Sequence, residues 1–136
     1  MIRSVFIAAC AFMLPSIAFA DPCEGPLPQR AGETFSGIVR YVGDGDGLCV
    51  GANNDPNTWI EVRLADFDAP ELQSREGRSA KAALQRIAMG HQARCTAGGG
   101  RRGNVISYDR VIATCRIDGR RIGDLMRAAG VDEGGN

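Results

Sequence analysis

The sequence is poor in the side chains on which many hydrolases and zinc proteins depend. Among its 136 residues it has one histidine, His91, and one lysine, Lys81. A single histidine excludes a zinc site built on a histidine pair, and no serine–histidine–aspartate set is visible. Because no partner for His91 can be seen, we expect it to be structural or exposed. The sequence also has no Cys-x-x-Cys pair, which argues against zinc bound by cysteines.

Long apolar runs are scarce as well. The main one, residues 5–14, follows the positive charge of Arg3 and precedes residues 18–20 (Ala-Phe-Ala), a small-x-small cleavage pattern. It is too short for a comfortable membrane span. We therefore predict a signal peptide at residues 1–20, with an uncleaved anchor as the alternative. This prediction implies a secreted or periplasmic protein that has no membrane span after cleavage.

Four of the five cysteines would remain after cleavage, in an oxidising compartment. Four cysteines allow three pairings. We favour Cys23–Cys49 and Cys95–Cys115, because each bridge would join two segments that we predict to be neighbouring strands. Four buried free thiols are the alternative.

Charge is balanced overall but unevenly distributed along the chain. Residues 41–71 contain seven acids and one base, whereas residues 72–127 contain twelve bases and four acids. Nearly all of the bases are arginines, whose planar guanidinium binds phosphate through several donors and keeps its charge. This bias favours a polyanionic partner over a membrane surface, and a solvated basic face is the alternative.

Alternating apolar residues and turn signals predict one strand-rich domain at residues 35–130, with an irregular lead-in at 21–34 and a tail at 131–136. Five strands with a helix between the third and the fourth are the layout of an OB-fold barrel, a mainly β fold of the α+β class. A short C-terminal helix follows. The predicted strands cover residues 35–42, 48–50, 58–67, 92–96 and 111–117, and the predicted helices cover residues 79–89 and 122–129.

The most informative stretch is residues 62–71, Val-Arg-Leu-Ala-Asp-Phe-Asp-Ala-Pro-Glu. Arg63 lies on the polar face of a predicted strand, and Asp66, Asp68 and Glu71 follow at the strand exit. A fixed cation beside clustered carboxylates suits metal-assisted attack on a phosphate. The alternative is a set of surface charges. The residues alone do not choose among these three acids; the family resemblance given below selects Asp68 and Glu71 and leaves Asp66 as a bystander.

A second acidic motif, Asp-Gly-Asp-Gly at residues 44–47, lies between the first two predicted strands. It does not begin an EF-hand, because Leu48 and Asp55 stand where that loop requires an oxygen ligand and a glutamate. Taken alone, the motif is more often a plain turn. Two acidic turns at the ends of adjacent strands can nevertheless form an oxygen-ligand site for a hard cation such as calcium.

A third motif, Tyr-Asp-Arg at residues 108–110, begins the last predicted strand. In its functional interpretation Arg110 is a second phosphate clamp opposite Arg63, and in the alternative it is an arginine salt-bridged beside a turn tyrosine. We expect Trp59 to be a packing residue, and Arg101 and Arg102 to belong to a solvated loop.

These three motifs, in this order and at this spacing, resemble the thermonuclease family, the staphylococcal-nuclease-like domains. The matching pieces are residues 44–46, 63–71 and 108–110, and the resemblance spans roughly residues 35–130. It implies a five-stranded OB-fold and a calcium-dependent nuclease. Such an enzyme cuts DNA and RNA with low sequence specificity and leaves 3′-phosphate and 5′-hydroxyl ends.

The resemblance also implies a role for each residue of the site. Asp46, Asp68 and the backbone carbonyl of Ala69 would bind Ca²⁺, and Glu71 would act on the attacking water as general base or orienter. The substrate-binding residues would be Arg63, Tyr108 and Arg110. The two arginines would also be catalytic, since they would neutralise charge on the phosphate, and the second would assist the leaving 5′-oxygen. Single-stranded nucleic acid would be the favoured partner of a monomeric protein.

Some positions depart from the pattern of that family. Gly47 replaces a common threonine, Asp109 replaces a glycine, and the usual last helix is not present before Asn136. We expect these differences to affect rate and nucleotide preference more than the class of reaction. The main alternative function is a catalytically idle OB-fold module that binds nucleic acid or another polyanion. A disulfide-stapled structural protein is a more distant one, because it would not require the acids and arginines of the site.

Overall fold

The computed structural model describes residues 21–134. The predicted signal peptide at residues 1–20 and the last two residues of the predicted tail lie outside the described residues. Seven strands and two helices follow one another along the described chain, together with two short 3-10 turns at Pro56–Thr58 and Arg101–Gly103. The strands are β1 Thr34–Val42, β2 Gly47–Gly51, β3 Ile60–Leu64, β4 Gln92–Ala97, β5 Ile106–Ser107, β6 Arg110–Ile117 and β7 Arg120–Arg121, and the helices are α1 Arg75–Ala88 and α2 Ile122–Ala128.

The five longer strands close into a barrel. β1 pairs antiparallel with β2 and with β4, β2 pairs with β3, and β4 pairs with β6. A parallel pairing of β3 with β6, in which Val62 faces Val111 and Leu64 faces Ala113, joins the two ends of this path. The predicted mainly β, OB-fold-like class is therefore confirmed.

Alternating side chains explain why these strands enclose a core. In β3, Val62 and Leu64 are fully buried whereas Glu61 and Arg63 lie on the outer face. The same period-two pattern runs along β6, whose inner residues are Val111, Ala113, Cys115 and Ile117. Because residues of a strand alternate between its two faces, the polar members of β3 point away from the core, where they are available to a site.

The first helix begins earlier than the sequence pattern indicated. α1 starts at Arg75 instead of Ser79, because the Ser74 hydroxyl accepts a hydrogen bond from the Gly77 N–H at 2.9 Å and so caps the helix. The buried face of α1 consists of Gly77, Ala80, Ala83, Leu84 and Ala88. The partly exposed side chain of Ile87 packs against the edge of the same core.

The third strand is shorter than predicted. It covers Ile60–Leu64 instead of residues 58–67, because a 3-10 turn precedes it and the acidic residues follow as an irregular loop. The Trp59 indole N–H donates to the Asn53 carbonyl oxygen at 2.7 Å, so this side chain fastens the loop before β3. Two very short strands, β5 and β7, were not predicted.

Both favoured disulfide pairings are confirmed. Cys95 and Cys115 face each other in the register of β4 and β6, and their bond joins these neighbouring strands on the core side of the barrel. The Cys23–Cys49 bond ties the lead-in segment to β2. His91 is exposed, as expected. Within residues 21–134, neither helix has the length and apolar character needed to cross a membrane.

Candidate functional site

Residues 43–47, which we call the acidic turn, are held by hydrogen bonds of their own. The Asp44 carboxylate accepts from the Asp46 N–H at 3.1 Å, and the Gly43 N–H donates to the Gly47 carbonyl at 2.9 Å. Gly45 lies so close to α1 that a Cβ there would come within 2.6 Å of the Cβ atoms of both Ala69 and Ala80. Glycine at this position therefore allows the acidic turn to pack closely against α1 and against Ala69, the residue that follows Asp68.

Asp46 is the buried acid of the site, with 7% of its surface exposed. Its Oδ2 accepts a hydrogen bond from the Ala69 N–H at 2.7 Å and lies 3.3 Å from Arg63 Nη2. Burial, with a smaller contribution from the negative charge of Asp44, raises the pKa of Asp46 to about 6, although Ala69 and Arg63 oppose this shift. A carboxylate held in such a place gains from a bound cation.

Arg63 lies between the two acidic segments and bonds to both. Its Nη2 donates to Asp68 Oδ1 at 2.6 Å and lies 3.3 Å from the Asp46 carboxylate. Its Nη1 donates to the carbonyl of Leu64 and, at 2.8 Å, to that of Phe67. The guanidinium thus shapes residues 65–71, which we call the acidic loop, and compensates the two carboxylates.

Asp66 and Asp68 have different environments in the acidic loop. The Asp66 Oδ2 accepts from the Gly123 N–H at 3.2 Å, at the start of α2, so Asp66 is a structural residue that ties the loop to the helix. Its Oδ1 is buried and has no hydrogen-bond partner among residues 21–134. The Asp68 side chain is 51% exposed and borders the open face of the site.

Glu71 ends the acidic loop with an exposed carboxylate and a fixed backbone. Its carbonyl accepts hydrogen bonds from the Ser74 N–H at 3.0 Å and from the Ser74 hydroxyl at 2.6 Å. Gly77 of α1 packs directly on that carbonyl, where a Cβ could not fit. The start of α1 therefore fixes the backbone of Glu71 while its side chain remains accessible.

One cavity of about 590 Å³ collects almost all of the residues proposed from the sequence. Arg110, at the first position of β6, lines the same cavity from the strand that pairs with β3. Within the described chain its guanidinium makes no hydrogen bond or ion pair. Tyr108 does not line this cavity; it is 94% exposed, in the turn between β5 and β6. The predicted site residues on the cavity wall are Asp46, Arg63, Asp68, Ala69, Glu71 and Arg110.

Neighbouring cavities extend the site in two directions. One of about 450 Å³ shares Arg63 and Asp68 and reaches Arg101 and Asn104, so the loop that we expected to be merely solvated borders the site. A smaller one of about 180 Å³ shares Arg110 with the site cavity.

A second group of acids lies around that smaller cavity. Carboxylate oxygens of Asp21, Glu61 and Asp109 lie within 4.8 Å of one another. Burial, followed by the nearby charges of Asp21 and Asp109, raises the pKa of Glu61 to about 7, and Arg110 opposes the shift. The sequence motif Tyr-Asp-Arg had drawn attention to Arg110 but not to Glu61.

The donors around Asp46 fit a hard cation in their chemistry. Two carboxylates and a backbone carbonyl, completed by water, are oxygen ligands of the kind that calcium prefers. The Arg63 guanidinium is within hydrogen-bonding distance of Asp68 and near Asp46, so it stands where positive charge is needed. A cation bound between these acids would take over part of that compensation.

Comparisons of the chain with protein-family models and with curated proteins found no match.

Proposed function

We propose that the protein is a calcium-dependent nuclease that hydrolyses phosphodiester bonds of DNA and RNA with low sequence specificity. One observation carries the proposal: a single cavity is lined by two arginines, by the acids Asp46, Asp68 and Glu71, and by Ala69. These groups come from three separate parts of the chain. A barrel that only needed charged surface residues would not have to gather them at one place.

Metal binding would fall to Asp46, Asp68 and the Ala69 carbonyl, as the resemblance to thermonucleases implies. Calcium bound there would supply charge neutralisation and Lewis-acid polarisation at the phosphate. Ala69 would contribute through both of its backbone groups: its N–H donates to Asp46 Oδ2 at 2.7 Å, and its carbonyl would bind the metal. That bond holds the ligand carboxylate in place before any metal binds.

The remaining polar groups of the cavity would act on the substrate. Glu71, whose carboxylate is exposed in the cavity, would orient or deprotonate the attacking water. Arg63 and Arg110 would bind the phosphate oxygens from two sides, where negative charge grows in the transition state. Preorganised cations of this kind are typically the largest contribution to such catalysis.

To bind the phosphate, Arg63 would have to give up its hydrogen bond to Asp68. Its Nη2 donates to Asp68 at 2.6 Å in the described structure. A cation at the two carboxylates would weaken that attachment, and the guanidinium could then turn toward the phosphate. Arg110 needs no such release, because it has no partner among the described side chains.

The resemblance implies further details of the reaction. Cleavage would leave 3′-phosphate and 5′-hydroxyl ends, and single-stranded substrates would be favoured. Low sequence specificity fits the groups of the site, which would address the backbone rather than base edges. Tyr108, exposed beside Arg110 in sequence, would contact the nucleotide from outside the cavity. We further propose that the protein is monomeric and secreted or periplasmic, which its two disulfides support.

An idle nucleic-acid-binding module is the second candidate, and the state of Arg63 favours it. That guanidinium is engaged with Asp68 and with two backbone carbonyls, so it is not free to bind phosphate as it stands. Such a module would bind single-stranded DNA without cutting it, whether or not calcium is present.

The deciding experiment incubates the disulfide-bonded protein, residues 21–136, with single-stranded DNA in calcium and in chelator. We expect the DNA to be cleaved in calcium and to stay intact in chelator. DNA that stays intact in calcium would refute the proposed activity. Glu71→Gln and Arg63→Ala should each lower the rate by ~10²–10³, the usual effect of removing one such group. Matched controls are Glu76→Gln, exposed on α1, and Arg120→Ala, exposed in β7, which should leave the rate unchanged.

A further inference from the structure

The chain after α2 turns back toward the acidic loop. The Val131 N–H donates to the Met126 carbonyl at 3.1 Å, and the Val131 side chain packs against the core. This contact directs the tail, residues 131–134, across the face of the barrel on which the acidic loop lies. Glu133 and Gly134 arrive beside Asp68.

The tail bonds to both backbone groups of Asp68. The Asp68 N–H donates to Glu133 Oε1 at 3.0 Å, and the Asp68 carbonyl accepts from the Gly134 N–H at 2.8 Å. The peptide groups on the two sides of this residue are therefore fixed by a segment far away in sequence. Fixing them restricts the directions in which the Asp68 carboxylate can point.

Arg127 of α2 joins the same assembly. Its Nη1 donates to the Asp66 carbonyl at 2.7 Å and lies 3.4 Å from Glu133 Oε1. Its guanidinium lies 5.9 Å from the centre of the Phe67 ring. One arginine thus contacts Asp66 and Phe67 directly and reaches Asp68 through Glu133.

Gly134 approaches the carbonyl of Ala69, another expected metal ligand. A Cβ at this position would come within 2.9 Å of the Ala69 carbonyl oxygen and 3.1 Å of the Pro70 Cα. Both are backbone atoms, so a larger residue would displace the carbonyl itself. The tail therefore contacts the acidic loop at each of the two neighbouring residues that we assign to the metal.

We propose that the tail is a positioning element of the calcium site, in which Glu133 and Gly134 fix the orientation of the Asp68 carboxylate and the Ala69 carbonyl. This inference rests on the proposed function, since it assigns a role toward the cation. Glu133 is a positioning residue: its Oε1 is held by the Asp68 N–H and by Arg127, and the residue does not line the site cavity.

The test uses Glu133→Ala and the charge-matched control Asp132→Ala. Asp132 is exposed in the same tail and has no hydrogen bond to the acidic loop among the described contacts, so its removal changes the charge equally without touching Asp68. Amide hydrogen exchange of Asp68, followed by NMR in chelator, reports the contact without metal or activity. Titration calorimetry with Ca²⁺ then reports its effect on the site.

We expect Glu133→Ala to speed exchange of the Asp68 amide and to raise the calcium Kd, each about tenfold, the effect of losing a hydrogen bond to a charged group. Glu133→Gln keeps an oxygen acceptor and should restore most of the protection. Gly134→Ala should also raise the calcium Kd. The Kd of the Asp132→Ala control should stay within about twofold of that of the parent protein, well below the tenfold rise expected for Glu133→Ala.

The outcomes separate the two proposals. Unchanged Asp68 exchange in Glu133→Ala, or faster exchange with an unchanged calcium Kd, overturns the positioning role and leaves the nuclease proposal standing. Equal effects of Asp132→Ala and Glu133→Ala on the Kd also overturn it, because charge alone would then explain the loss. If the parent protein binds no Ca²⁺, the calcium site itself fails, and with it both proposals.

Discussion

We expect Asp46→Asn to change the free energy of unfolding of the metal-free protein more favourably at neutral pH than in acid. In the folded protein this carboxylate is 7% exposed, and burial raises its pKa from 3.8 to about 6. The folded state therefore holds the proton more tightly than the unfolded state does. As a result, the contribution of Asp46 to the free energy of unfolding falls as pH rises from about 4 to about 6, and stays low above that range.

The size of the effect follows from the shift. A difference of about two pKa units corresponds to about 3 kcal/mol, at 1.4 kcal/mol per unit. Asparagine keeps an oxygen that can accept from the Ala69 N–H, and it carries no charge at any pH. The free energy of unfolding of the parent protein minus that of Asp46→Asn should therefore fall by roughly 2–2.5 kcal/mol between pH 4 and pH 7, since part of the titration of the unfolded state lies below pH 4.

Urea unfolding in chelator, at closely spaced pH values, measures this difference. Contributions from other titrating groups cancel, because both proteins share them. A flat difference would refute the reasoning, since it would mean that the Ala69 N–H and Arg63 together fully offset the burial of Asp46. In calcium at 100 times its Kd the parent protein should gain about 2.7 kcal/mol, and Asp46→Asn should gain almost nothing.

Three further predictions concern the frame of the site. Gly77→Ala should lower the free energy of unfolding by roughly 1–3 kcal/mol, because its Cβ would collide with the Glu71 carbonyl; unchanged stability in urea would contradict this close approach. Removing the Cys95–Cys115 bond, which closes a separation of 20 residues, should cost about 3 kcal/mol in the same assay, and a loss below about 1 kcal/mol would show that the barrel does not depend on it. Tyr108→Gly should change the free energy of unfolding by less than about 1 kcal/mol, because the side chain is exposed and the backbone, at φ +58°, suits glycine. The same change should raise KM for single-stranded DNA, and an unchanged KM would remove Tyr108 from the substrate site.

The barrel could be predicted because its strands carry a regular signal. Alternation in the third strand separated its inward residues from the polar face that carries Arg63, and the glycine-rich turn before Leu48 marked the boundary of β2. The start of α1 could not be found in this way. Residues 72–78 have no apolar stripe, and the helix begins there because Ser74 caps it and Gly77 fits against the Glu71 carbonyl.

The site was predictable in its members but not in its bonding. Charge type and spacing drew attention to the three motifs, the resemblance to thermonucleases selected Asp46, Arg63, Asp68, Glu71 and Arg110 within them, and all five line one cavity. The sequence could not reveal that the first arginine bonds to acids of its own site, because such pairing depends on side-chain direction in three dimensions. The contacts of Glu133 also had no sequence signal, since an exposed acid in a glycine-containing tail has no periodicity to interpret.

The parallel pairing of β3 with β6 has a consequence for folding. This seam alone brings Arg63 and Arg110 onto adjoining strands, and its residues are far apart in sequence. Contacts of that kind close slowly, because the loop between them must be ordered first. A chain whose seam is still open would keep its acidic half but would have no second arginine beside it. The proposed nuclease activity should then arise together with barrel closure, so partly folded forms should not cut nucleic acid.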